Sequence, residues 1–138
     1  MLDKKKGTID ISALNHPPEP HEYKTAKFFS NLGLDINFIK PSNTKGTKSP
    51  DFEMASKNWE TKSPIRYSDS SFEDNFKKAI KQSEHVIYDL RRLSPSDEKK
   101  YIGQLQNRKK SRNLKTLLVI TRDGNLLTEK GIFVKIKS

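Results

Sequence analysis

Residues 85–90, "HVIYDL", form a short and nearly continuous apolar run, and this stretch limits the fold more than any other. Its length and its β-branched and aromatic residues suit a strand. Successive apolar side chains point to opposite faces, so the strand must be buried on both sides, as strands are in sheets covered by helices. The segment before it, "SDSSFEDNFKKAIKQSE", has helix-start signals in Ser70, Ser71, Glu73 and Asp74. Phe72, Phe76, Ala79 and Ile80 then make one apolar face. Pro95, Ser96, Asp97 and Glu98 open a further helix, expected to reach about residue 110, and "LKTLLVIT" follows as a strand.

The N-terminal half has the same alternation. Residues 1–20 read as an extended lead-in, with "TIDIS" as a short edge strand and "HPPEP" excluded from helix by its prolines. A helix starts at His21 and is stopped by Gly33; "LDINFIK" is a strand and "PSNTKGTKS" a loop. "PDFEMA" and "NWETKS" have the lengths of a hairpin turning at Ser56–Lys57–Asn58, and "GIFVKIK" closes the chain as a strand after a turn at Asp123–Gly124–Asn125. Strands alternating with helices predict an α/β fold: one domain over residues 21–138, with a central mixed sheet flanked by helices.

The charge narrows the function. A formal net charge of +10 on 138 residues points to a polyanionic partner, nucleic acid first and a membrane surface second. An acidic protein partner is compatible with either, and a merely solubilising surface is the plainer alternative. There is no cysteine, which excludes disulfides and thiolate metal sites. No apolar run approaches the ~20 residues needed to span a bilayer, and "MLDKKKGTIDIS" lacks the apolar stretch of a secretory signal.

Against this basic background, "SPDFEMASKNWETKSP" is unusual in placing Asp51, Glu60 and Lys62 on what read as neighbouring strands. Glu60 and Lys62 are two apart, so they share a face. Carboxylates brought together there would supply hard oxygen ligands to Mg²⁺ or a similar ion, and the ammonium could position a water or meet charge building on a phosphate. A turn aspartate and a surface pair of opposite charges would leave the same letters.

Pro50–Asp51 followed by Glu60-x-Lys62 resembles the PD-(D/E)xK nuclease signature, and the order of elements resembles that superfamily's α-β-β-β-α-β, restriction-endonuclease-like core. The resemblance places Glu22 where many members carry a further acid on the first helix, and Gln82 where some carry a polar residue near the site. A narrower resemblance spans about residues 21–121. "HEYKTAKFFSNLGLDINFI", "PDFEM", "NWETKSP", "FKKAIKQSEHVIYDLRR" and "LKTLLVIT" are similar to the C-terminal tRNA nuclease toxin domains of contact-dependent growth inhibition proteins. It implies a toxin domain delivered as part of a larger protein, acting in the target-cell cytoplasm on RNA, tRNA above all. It also implies neutralisation by a cognate immunity protein, whose acidic surface would complement the charge. The implied ligands of a divalent ion are Asp51, Glu60 and Glu22, with Mg²⁺ expected and Mn²⁺ or Zn²⁺ as alternatives.

His21 is a candidate general acid or base, equally readable as a helix-start residue. Glu53 is an extra ligand or a solvent-facing acid, Trp59 a core residue, His85 structural, and Asp89 a partner for Arg91 or Arg92. Lys48 in the loop before Asp51, and Arg108, Lys109 and Lys110 in "QNRKKSRNLK", are candidate phosphate contacts. Arg66 and Tyr67 are candidates to stack on an unpaired base. Three alternatives stay open: a metal-independent ribonuclease of another fold using His21 and Lys62, a DNA-cleaving toxin, and a non-enzymatic nucleic-acid-binding protein of a phage or mobile element.

Overall fold

The computed structural model describes residues 5–41 and 49–131, so Lys48 and all but the first residue of "GIFVKIK" lie outside it. The elements, in chain order, are β1 (Ile9–Asp10), α1 (Pro20–Asn31), β2 (Ile36–Phe38), β3 (Phe52–Met54), β4 (Lys57–Lys62), α2 (Asp69–Gln82), β5 (His85–Asp89), α3 (Pro95–Arg108), β6 (Thr116–Ile120) and β7 (Leu126–Lys130). The expected α/β architecture is found: a mixed sheet in strand order β1-β2-β3-β4-β5-β6-β7, with three helices. The described residues form two compact units, one ending at Trp59 and the other beginning at Glu60, so the boundary falls inside β4.

In the first unit, Pro20 occupies the first turn of α1, where its missing N–H costs nothing. The helix buries Ala26 and Phe29 and ends at Leu32, after which Gly33 adopts a φ of +99°. The lead-in is not loose where it is described. β1 pairs in parallel with β2, and the Gly7 N–H donates to Ser30 O at 2.8 Å. Only glycine fits at that position, since a Cβ on Gly7 would lie 1.9 Å from the Leu34 carbonyl oxygen.

The β3–β4 hairpin forms, but it turns one residue earlier than the sequence suggested. Met54 pairs with Lys57, leaving Ala55 and Ser56 as a two-residue loop with φ of +53° and +64°. Positive φ at both loop residues is the geometry that matches strand twist, and it is usually signalled by Asn-Gly. Ala-Ser carries no such signal. Trp59 is fully buried, as expected of a core residue, and its Nε1–H donates to Met54 O at 2.8 Å.

In the second unit, β4, β5 and β6 run parallel, and β7 returns antiparallel to β6. β6 is buried at all five positions and β5 at four of five, as the continuous apolar runs demanded. Ser68 caps α2, accepting the Ser71 N–H at 3.2 Å, and the helix buries Phe72, Phe76 and Ala79. These pack with Val86, Tyr88, Leu90, Tyr101, Leu105 and Leu117 in one cluster. Burial of each large side chain is worth about 1.5–3 kcal/mol. Ser94 caps α3 in the same way, through the Asp97 N–H at 3.2 Å. A strand at "LLTEK" was not expected, and it follows the turn directly: Gly124, at a φ of +81°, tightens the turn so that Asn125 O already accepts from the Thr121 N–H, while all but the first residue of "GIFVKIK" lies outside the described residues.

Candidate active site

In the first unit the helix start and the hairpin each deliver an acid. Glu22 stands at the third position of α1, where its Oε1 accepts the Glu19 N–H at 3.3 Å in a capping arrangement. Asp51 directly precedes β3, and its N–H donates to Trp59 O at 2.8 Å, which extends the ladder by one residue. The two carboxyl groups share a hydrogen bond. Partial burial foremost, then the negative Asp51 beside it, pushes Glu22 up to about 7; the Glu19 N–H opposes this only in part. Two oxygen-only donors that retain a proton near neutrality fit a hard divalent cation, which takes one or two carboxylates and keeps waters elsewhere. Among the described residues, no group of three or more His, Asp or Glu side chains is placed to hold a metal ion.

Without a cation, this pair should leave a mark on stability. Glu22 has a folded-state value of about 7 against an ordinary 4.5, so the folded protein binds more protons between those pH values. Its contribution is complete below about pH 4.5 and is lost as pH rises through about 7. Since Glu22 is only half-buried, solvent screening reduces the effect to about 1 kcal/mol. We expect Glu22→Gln to flatten that part of the stability curve in urea unfolding with EDTA from pH 4 to 8; an unchanged slope would contradict the pairing.

In the second unit, Glu60 pairs in register with Val86 and Lys62 with Tyr88. Glu60 and Lys62 therefore face the side on which Val86 and Tyr88 pack under α2. Glu60 is only 3% exposed, and its Oε2 lies 3.2 Å from the Lys62 Nζ. Gln82, the last residue of α2, donates its amide to the same oxygen at 2.8 Å and to Lys78 O at 3.3 Å. An ammonium and a carboxamide thus share one carboxylate oxygen, an arrangement that burial makes costly to break. Tyr88 was read from the sequence only as part of a buried strand. Its phenol is held well above the usual range by burial, then Tyr101, then Glu60, and it donates to Asn75 Oδ1 at 2.6 Å. The parallel register that sets Tyr88 opposite Lys62 is a long-range property, invisible in the local pattern.

The other candidates divide. His21 lies in the first turn of α1, where its carbonyl accepts the Thr25 hydroxyl at 3.1 Å. Glu53 is exposed and accepts from Asn37 at 3.4 Å. His85 bonds Thr116 Oγ1 at 3.0 Å, and Asp89 takes Arg91 in a two-pronged pair at 2.9 and 2.7 Å. Arg66 is exposed, but the Tyr67 ring lies edge-on to Tyr101 at 5.5 Å and its hydroxyl donates to Asp69 at 2.5 Å. Arg108 is ion-paired with Glu73 of α2, Lys109 caps α3, and Lys110 is exposed.

Residues 48–126, more than half of the chain, match the family described as the contact-dependent growth inhibition CdiA C-terminal domain. The chain belongs to that family. The matched span includes Asp51, Glu60, Lys62 and Gln82 and leaves His21 and Glu22 outside. CdiA C-terminal domains are growth-inhibiting toxins, usually nucleases, delivered into target cells as part of a larger protein. No curated protein matches this CdiA C-terminal domain. A solved structure, a CdiA-CT/CdiI toxin and immunity complex from Burkholderia pseudomallei, aligns with a TM-score of 0.62 over 88% of this chain and 98% of that chain, at 17% identity. At that identity the likeness concerns the fold.

Proposed function

We propose that this CdiA C-terminal domain is a divalent-metal-dependent endonuclease of the PD-(D/E)xK type that hydrolyses phosphodiester bonds in RNA, with tRNA as its target. The observation that carries the reading is the buried Glu60, held by Lys62 at 3.2 Å in a family whose members are usually nucleases. A structural acid of this kind is rarely taken out of water on a strand without a further use. The acid pair Glu22–Asp51 supports the metal. The ligand set implied by the signature is Asp51, Glu60 and Glu22, with Mg²⁺ as the expected ion.

The bound ion would supply a Lewis acid and lower the cost of generating hydroxide. The chain's own groups divide the remaining work. The Lys62 ammonium offsets negative charge as it grows on the phosphoryl oxygens and holds the attacking water by its lone pair. Gln82 fixes the Glu60 carboxylate by its amide, so that the acid does not turn away when the lysine moves toward phosphate. Water adds to phosphorus, the P–O bond to one ribose oxygen breaks, and the products are a phosphomonoester and a free hydroxyl. Delivery of the polyanion suits a +10 chain. An immunity protein with acidic surface is the proposed partner, in line with the toxin and immunity complex that shares this fold.

The test is cleavage of total tRNA, single-stranded RNA and DNA with Mg²⁺, Mn²⁺ or Zn²⁺, with end-group analysis. We expect tRNA to be cut, EDTA to abolish cutting, and Mg²⁺ to restore it. Full activity in EDTA together with a 2′,3′-cyclic phosphate end would replace this reading by 2′-hydroxyl attack, with His21 and Lys62 as the groups to examine.

A further inference from the structure

The proposed chemistry uses one face of α2 and the strand β4, yet the second unit also carries a groove of about 760 Å³ along α3 that this chemistry leaves unassigned. One wall is Tyr67, just before α2, with Ser68 and Asp69; the other is the exposed face of α3, with Lys99, Lys100, Gly103, Gln106 and Asn107. The spacings 99-103-106 and 100-103-107 put these residues on one helix face.

Gly103 is the informative residue. It sits in the interior of a 14-residue helix, where glycine costs about 0.8–1 kcal/mol relative to alanine. Packing does not ask for it, because a Cβ there would meet nothing within 4 Å. Close approach of another molecule to the backbone is one use of a glycine that its own fold does not need. The charges around it point to which molecule. The acids of the first turn of α3 are engaged, since Asp97 accepts the Tyr67 N–H at 3.1 Å and Glu98 the Arg122 N–H at 2.7 Å. Among the described residues, neither Lys99 nor Lys100 is in an ion pair. The one carboxylate on the groove wall, Asp69, is held by the Tyr67 hydroxyl at 2.5 Å and lies in the first turn of α2, where the helix dipole offsets it. What remains for a ligand is two ammonium groups, carboxamides and a bare stretch of backbone, a combination suited to phosphates and ribose rather than to an apolar peptide.

We infer that this groove is a second contact site for the sugar-phosphate backbone of a large RNA, gripping it apart from the bond that is cut. It rests on the nuclease reading only for its consequence in catalysis, since binding is measured without cleavage. Of the earlier candidates, Arg108 is ion-paired with Glu73, whereas Lys109 and Lys110 are exposed at the C-terminal end of the same helix, about two turns beyond Lys99 and Lys100.

The test compares the wild-type chain with Lys99→Glu/Lys100→Glu, Gly103→Ala and Gly103→Leu. Binding of tRNA is followed by fluorescence anisotropy in EDTA, and cleavage of tRNA and of a hexanucleotide is followed in Mg²⁺. We expect the charge reversal to weaken tRNA binding at least ~10-fold and to reduce the salt slope by about 2. The tRNA KM should rise, with hexanucleotide cleavage unchanged. Gly103→Ala should raise Tm by a few degrees while weakening tRNA binding, and Gly103→Leu should weaken it further. A more stable Gly103→Ala with unaltered tRNA affinity overturns the proposal, as does a charge reversal that slows the hexanucleotide equally. Loss of capture of an acidic immunity protein with tRNA affinity intact assigns the groove to that protein and overturns it too. A wild-type chain that binds tRNA through these residues but cuts nothing upholds the groove and removes the nuclease reading instead.

Discussion

Glu60→Gln is expected to yield a folded protein whose kcat for RNA is lower by about 10²–10³-fold, the usual cost of removing one electrostatic contributor to a transition state. The substitution keeps volume and shape, and it removes a charge that burial disfavours. Glu60 is 3% exposed, so its carboxylate is stabilised chiefly by Lys62 at 3.2 Å and by the Gln82 amide at 2.8 Å. A neutral amide at this position keeps one oxygen to accept from both. Stability should therefore change by less than ~1 kcal/mol, because the charge left without its partner is the Lys62 ammonium, whose side chain is 20% exposed and keeps contact with water. Single-turnover cleavage of tRNA beside urea unfolding measures both. Activity within threefold of wild type would remove Glu60 from the chemistry.

Lys62→Met should do the opposite to stability. The stem is retained, but the ammonium that balances a nearly inaccessible carboxylate is gone, with an expected loss of about 3 kcal/mol. Cleavage should fall as well, since no cation then meets charge developing on phosphate. The double variant Glu60→Gln/Lys62→Met separates the two effects. Stability should return to within ~1 kcal/mol of wild type, because no charge is left buried, while activity stays lost. Additive destabilisation in the double variant would mean that the two residues do not depend on each other, and the ion pair would carry no argument.

The parts of the fold that could be read from the chain are those set by local periodicity. "HVIYDL" read as a strand buried on both faces because its consecutive apolar residues Val86, Ile87 and Tyr88 fall on alternating sides, and β5 is buried at four of five positions. α2 was legible from its apolar spacing and α3 from Pro95 and the acids after it, but the caps themselves, Ser68 and Ser94, were not picked out. The hairpin turn was misplaced by one residue because Ala55 and Ser56 adopt left-handed backbone without the Asn or Gly that normally announces it. β7 was not picked out because "LLTEK" carries no clean alternation; it is the Gly124 turn that lets a strand start at Leu126. That Glu60 and Lys62 share a face was legible from period two alone. Gln82 was singled out only through the family resemblance. Tyr88 was missed because strand register is a non-local property, and the pairing of Tyr67 with Tyr101 because aromatic partners 34 positions apart leave no trace in a window of sequence.

Glu22 belongs to two systems at once. One of its oxygens receives the first free amide of α1, and its carboxyl also faces Asp51. A proton on that carboxyl weakens its attraction for the positive end of the helix, and withdrawal of the proton strengthens it. Loss of that proton and the tightening of residues 20–23 are thereby one and the same event. Amide exchange at the head of α1 then becomes a direct gauge of the protonation of this acid pair.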